Sequence, residues 1–160
     1  MIHDYGAGTS SLSSFGPAIL RLAVGAIFIA HGAQKLFGLW GGGGLDGTAA
    51  GFAKLGLEPP YPLAVAAGLV EFGGGLLLVA GALTFFAAVA LTFQMLVAIW
   101  KVHGAHGFFL PAGFEYNIAL IAALASLMLT GAGAFSYDRY RAVSAAADAA
   151  GRARVRHGKI

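Results

Sequence analysis

The chain has 160 residues, 58% of them hydrophobic and 11% charged, with a mean hydropathy of +0.77; a soluble domain carries about 25% charged residues, so much of this surface must face lipid. The absence of cysteine excludes a disulfide framework and thiolate metal ligands. The net charge of +3 comes from an Arg-rich tail and reads as membrane topology, not as a nucleic-acid surface.

Met1 to Ser14 carries no Lys or Arg, and the apolar run behind it is too long for a signal-peptide core, so no separate signal peptide is expected. A crossing helix needs about 20 mostly apolar residues. Stretches at about residues 15–37, 62–79, 82–100 and 116–133 meet that requirement. The first starts with Pro17 in its opening turn, the second follows Glu58-Pro59-Pro60-Tyr61-Pro62, and Gly81 separates the second from the third. The fourth is rich in small residues, among them Ala119, Ala122 and Ala123, which suit close helix packing. In the longest connection, Thr48 to Leu55 suits a short interfacial helix. The glycine run Gly41 to Gly44 lacks the preceding strand and following Lys-Ser/Thr of a phosphate loop and reads as flexible loop.

The expected fold class is therefore all-α, an integral membrane four-helix bundle. Residues 1–138 form its transmembrane domain and residues 139–160 a basic tail. With four spans, Arg21, Arg139, Arg141, Arg152, Arg154, Arg156 and Lys159 share one side, against Lys35, Lys54 and Lys101 on the other. The excess of basic residues predicts both termini cytoplasmic, in a multi-pass protein of the cell membrane, the inner membrane of a bacterium. Arg21 lies near a span end and reads as a snorkelling anchor.

Ionisable side chains within a span cost at least about 2.5 kcal/mol on insertion scales, so they mark the interior. Glu71 is the sharpest of them. It lies about 15 Å into the second span by helical rise and must pair with a cation or take up a proton. Gln94 falls at a similar depth, and Lys101, seven residues later, shares its face. Phe28, His31 and Lys35 follow Arg21 along one face of the first span. With Gln34, Glu115 and Asn117, these residues suit a pocket lined by carboxyl, imidazole, amide and ammonium groups, with Glu71 as the candidate proton relay. Polar glue between helices explains the same residues. His103 and His106 have an H-x-x-H spacing but no acidic third ligand beside them, which makes them weak metal candidates. Axial ligation of haem by His31 has no spacing to support it, and no serine, histidine and carboxylate suggest a nucleophilic triad.

His31-Gly32-Ala33-Gln34-Lys35-Leu36-Phe37-Gly38 resembles the end of the first span in DoxX-family membrane proteins. Arg21 early in that span, Glu71 to Gly75 in the second, the loop Phe52 to Pro60, and the closing Gly131-x-Gly133-x-x-Ser136-x-Asp138 agree with it. The resemblance covers about Phe15 to Asp138. Ala132 departs from it, standing where proline is usual, which bears on turn stiffness. What the resemblance implies is a four-helix membrane protein associated with redox chemistry. Some relatives are quinone-linked oxidoreductase subunits, including a subunit of thiosulfate:quinone oxidoreductase.

Two functions follow as expectations. In the first, the chain is a membrane subunit associated with quinone-linked chemistry, binding a quinone or lipid-like ligand. His31 and Gln94 bind oxygens, Glu71 relays protons, and Lys35 or Lys101 steadies anionic charge. The residues name no cofactor on the chain itself, so electrons would come from elsewhere and a partial, non-catalytic subunit is the expected form. In the second, the chain is an accessory module that stabilises a larger membrane complex. The expected partners are the lipid bilayer and a larger complex or further copies of the chain. A transporter ranks behind both, because four spans would need to oligomerise to form a path.

Overall fold

The computed structural model describes residues 13–157. The segment up to residue 12, where no signal peptide was expected, and Lys159 of the basic tail lie outside them. Helix α1 covers Phe15–Phe37, α2 Gly44–Lys54, α3 Pro60–Ala80, α4 Thr84–Ala98, α5 Glu115–Thr130 and α6 Tyr137–His157. Beyond Ala98 the path of α4 continues as a wider π turn, Ile99–His103, and a tighter 3-10 turn, Gly104–His106.

The helix ends follow from local chemistry. α1 stops at Gly38, whose φ of 70° is left-handed, with its N–H donated to Gln34 O. α3 opens on Pro60 after extended Pro59 and closes at Gly81, φ 62°. A Cβ on Gly81 would lie 2.4 Å from Ser136 Cβ, so glycine also allows the last loop to approach.

Among the described residues three helices, not four, are long and apolar enough to cross a bilayer: Phe15–Phe37, Pro60–Ala80 and Thr84–His106. The fourth expected span is α5, with 16 residues. At about 1.5 Å per residue it is about 24 Å long, short of about 30 Å of hydrocarbon. It ends early because Gly131 and Gly133 turn the chain with φ of 79° and 72°. The chain is thus an all-α membrane protein with three long apolar helices. An odd number of crossings cannot return it to its starting side, which corrects the expectation of a four-span bundle with both termini cytoplasmic.

α1 and α3 make the closest helix pair. Gly25 and Gly32 on α1, and Gly68 and Gly75 on α3, recur at seven-residue spacing. A Cβ on Gly32 would lie 2.4 Å from Phe72 N, and one on Gly75 would lie 2.7 Å from Gly25 O. These are backbone contacts that no side-chain adjustment relieves. Gly75→Ala is therefore expected to destabilise the fold by about 2 kcal/mol through overpacking, whereas Gly73→Ala, with open space around it, should be near neutral. Thermal unfolding of the two variants in micelles checks the contrast.

α4 and α5 complete the core, where Phe28, Leu78, Leu91, Leu124 and Leu127 are fully buried. In α5 Leu120, Leu124 and Leu127 turn inward, while Ala119 and Ala122, expected at a close helix contact, are exposed. Leu22, Phe85, Phe86, Phe93 and Leu129 are exposed large apolar residues, as lipid-facing helices require. Along α6 the described side chains are mostly exposed.

Candidate functional site

Glu71 sits in the middle of α3 and is 3% exposed. Lys35, from the last turn of α1, donates Nζ–H to Glu71 Oε2 at 2.5 Å. Gln94 of α4 donates from Nε2 to Glu71 Oε1 at 2.7 Å and to the Ala67 carbonyl at 3.3 Å. Three helices thus meet on one carboxylate, and the glycine contact between α1 and α3 lets Lys35 reach it. A buried carboxylate needs such partners, since a lone ionised one would be far too costly in an apolar interior.

The pairing leaves capacity. A carboxylate has about four acceptor positions and an ammonium three donors. Gln94 spends its amide hydrogens on Glu71 and Ala67 and keeps Oε1 as an acceptor. The Lys35 side chain remains 27% exposed.

Two cavities converge on the pair. The larger, about 590 Å³, is bordered by Lys35, Glu71, Gln94 and Lys101 on its polar side, with Phe52, Leu63, Val70, Phe93 and Val97 among its apolar walls. Helix α2 borders it through Thr48, Gly51 and Phe52. The smaller, about 210 Å³, is bordered by His31, Lys35, Glu71, His103, Tyr116 and Asn117. Lys35, Glu71, Ala98 and His103 border both. The π turn at Ile99–His103 departs from regular α geometry where Lys101 and His103 arise, a common device near functional sites.

The expected site residues divide accordingly. Lys35, Glu71 and Gln94 are bonded together, Lys101 borders the larger cavity, and His31 and Asn117 border the smaller. Lys101 Nζ also lies 4.1 Å from the Trp100 ring centroid. Buried Asn117 donates to Met95 Sδ at 3.5 Å. Gln34 and Glu115 do not join the cluster: Gln34 Nε2 reaches Trp40 O at 3.5 Å, and Glu115 Oε1 accepts from Leu110 N at 2.8 Å, bracing the loop before α5. His103 and His106 bond separate carbonyls, Ala112 O and Val102 O. Among the described residues no group of three or more His, Cys, Asp or Glu could hold a metal ion.

A second polar centre was missed. Arg21, expected to snorkel, is turned inward and is 2% exposed. Nε donates to Ala132 O at 2.9 Å, Nη1 to Leu78 O at 3.0 Å and to Val79 O, and Nη2 to Ala134 O at 3.1 Å and Phe135 O at 2.7 Å. All five guanidinium donors are therefore used. Asp138 accepts from Leu83 N and Thr84 N, both at 2.9 Å, capping α4, while its own N–H bonds Gly81 O. The closing Gly-x-Gly-x-x-Ser-x-Asp signal belongs to this knot. A Cβ on Gly133 would lie 2.5 Å from Ser14 O, and Ser136 Oγ donates to Gly133 O at 2.9 Å.

One family model matches the chain. The DoxX family model matches residues 16–104, more than half of the chain. This chain belongs to the DoxX family. The matched region contains Arg21, Lys35, Glu71, Gln94 and Lys101 and stops short of Asp138. Among similar proteins, an uncharacterized protein of Haemophilus influenzae is 31% identical over 129 residues, covering 76% of this chain and 87% of the relative. Inner membrane protein YphA of Escherichia coli (strain K12) is 32% identical over 142 residues, covering 85% of this chain and 94% of that protein. No solved structure matches the chain significantly. The family and the long apolar helices together make this DoxX chain a multi-pass membrane protein.

Proposed function

We propose that this DoxX chain is a quinone-binding subunit of an oxidoreductase assembly in the inner membrane, the location in the name of its Escherichia coli relative. One observation carries the reading: the Lys35–Glu71–Gln94 cluster opens onto an apolar cavity of about 590 Å³, within the range of about 300–1,000 Å³ usual for small-molecule sites. Such a cavity suits a flat ring with an apolar tail, and exposed Phe93 on its border gives the tail a way into lipid.

The side chains left with capacity match both redox forms of such a guest. Lys35 N–H donates to a quinone carbonyl, and Gln94 Oε1 accepts from a quinol hydroxyl. Glu71 holds the proton that joins or leaves the ring oxygen, and Lys101 adds positive charge at the border. Electrons enter from a redox centre on a partner subunit.

The test is the lipid-soluble material that copurifies. Extracts of the purified chain should contain quinone in stoichiometric amount, and Ala67→Phe, which fills the larger cavity without altering the backbone bond to Gln94, should lower it by about tenfold or more. Quinone absent from the wild-type protein, or unchanged in the variant, would overturn the reading.

The second reading, an accessory packing module, is favoured by the internal pairing of Glu71 and by the outward Ala119–Ala122 face of α5. It expects cavity-filling to leave bound lipid unchanged and substitutions on that face to weaken assembly.

A further inference from the structure

The smaller cavity differs in chemistry from the larger one beside it. It is bordered by His31, Tyr116 and Asn117, and among the described residues neither the His31 imidazole nor the Tyr116 hydroxyl has a hydrogen-bond partner. Its volume of about 210 Å³ is room for several waters, with several polar groups to hold them. Its inner wall is the Lys35–Glu71 pair, which also closes the larger cavity. Glu71 is therefore approached from two sides, one almost wholly apolar and one where polar groups are mixed with apolar walls.

We infer that the smaller cavity is a hydrated antechamber that exchanges protons with Glu71, separate from the apolar route by which a lipid-soluble guest reaches the same carboxylate. The inference rests on the quinone reading for its use, though not for its test. The titratable and charged groups that border the two cavities with Glu71 are His31 and Lys35 from α1, Lys101 and His103 from the π turn after α4, and Tyr116 from α5. His103 borders both cavities, and its Nδ1 faces the Ala112 carbonyl at 2.8 Å. A carbonyl accepts, so Nδ1 carries a hydrogen in this contact. Protonation of Glu71 breaks a donor N–H or O–H bond in the antechamber and forms the carboxyl O–H. The Lys35 ion pair then opens, and a proton entering from bulk solvent along the antechamber's waters restores the donor's N–H or O–H, so one proton is taken up in all.

The cysteine-free chain suits a direct test in lipid nanodiscs. Leu120→Cys places a thiol on the border of the antechamber and Val70→Cys one on the larger cavity. A permanently charged methanethiosulfonate should modify Leu120→Cys faster than Val70→Cys by about tenfold or more, while neutral N-ethylmaleimide should reach both. The resulting adduct at Leu120→Cys should slow deuterium exchange at the Glu71 carboxyl by a similar factor, read from its infrared carbonyl band at acid pH. Tyr116→Cys provides the same readout if Leu120→Cys does not fold. Equal protection from the charged reagent at both sites, or exchange unchanged by the adduct, would overturn the antechamber. Failure of quinone binding with charged labelling intact would remove the quinone reading and leave the antechamber standing.

Discussion

Arg21→Met is expected to destabilise the protein by about 3 kcal/mol, because it strips the donor from five carbonyls, three of them in buried hydrogen bonds. The acceptors come from two separate regions: Leu78 and Val79 near the end of α3, and Ala132, Ala134 and Phe135 in the loop after α5. The first two lie where the helix dipole is negative, which also favours a cation. Asp138 adds an opposite charge that acts on the same guanidinium. Arg21→Lys keeps the charge but has three donors on one nitrogen in place of a planar fork of five, so it should recover less than half of the loss. Reversible unfolding in micelles measures both, and wild-type stability in Arg21→Met would contradict the role assigned to the knot.

The second large effect is at Glu71. Glu71→Leu removes the acceptor shared by Lys35 and Gln94 and leaves an ammonium facing an apolar wall. Breaking a buried pair from one side costs about 3–5 kcal/mol, and the residual 27% exposure of Lys35 places the expected loss at the lower end, about 3 kcal/mol. Lys35→Met combined with Glu71→Leu removes both charges and should regain most of that stability, since apolar replacement of a whole pair is often neutral. A double-mutant cycle measures the coupling directly. Additive losses would mean that the two residues stabilise the protein independently of their 2.5 Å contact.

These two sites were legible to different degrees. Glu71 stood out because a carboxylate inside an apolar run has few explanations, and the lysines on neighbouring segments supplied plausible partners. Gln94 was placed at the right depth by counting helical rise. Gln34 and Glu115 looked equivalent by position, but each bonds a backbone group of its own neighbouring loop, a local choice that periodicity does not encode. Arg21 was misread because a basic residue near a span end usually reaches for water. Its partners come from residues 78–79 and 132–135, and only tertiary folding brings them together. The signal was present in Gly131, Gly133, Ser136 and Asp138, whose spacing made sense once the loop they form was seen to supply the acceptors. The fourth apolar stretch looked long enough because Gly131 and Gly133 were counted into a helix that they end.

Under the proposed function, the Glu71 cluster binds a guest and is more than packing. The direct measurement is the affinity of decylubiquinone, a short-tailed quinone, for the full chain in nanodiscs, wild type against Glu71→Gln. The amide keeps the shape of the side chain but cannot carry the carboxylate's charge or its titrating proton. Saturable binding to the wild type is expected, with an affinity weaker by about tenfold or more in the folded variant. No saturable binding to the wild type, or equal affinity in the two, would contradict it and leave the cluster as a packing device.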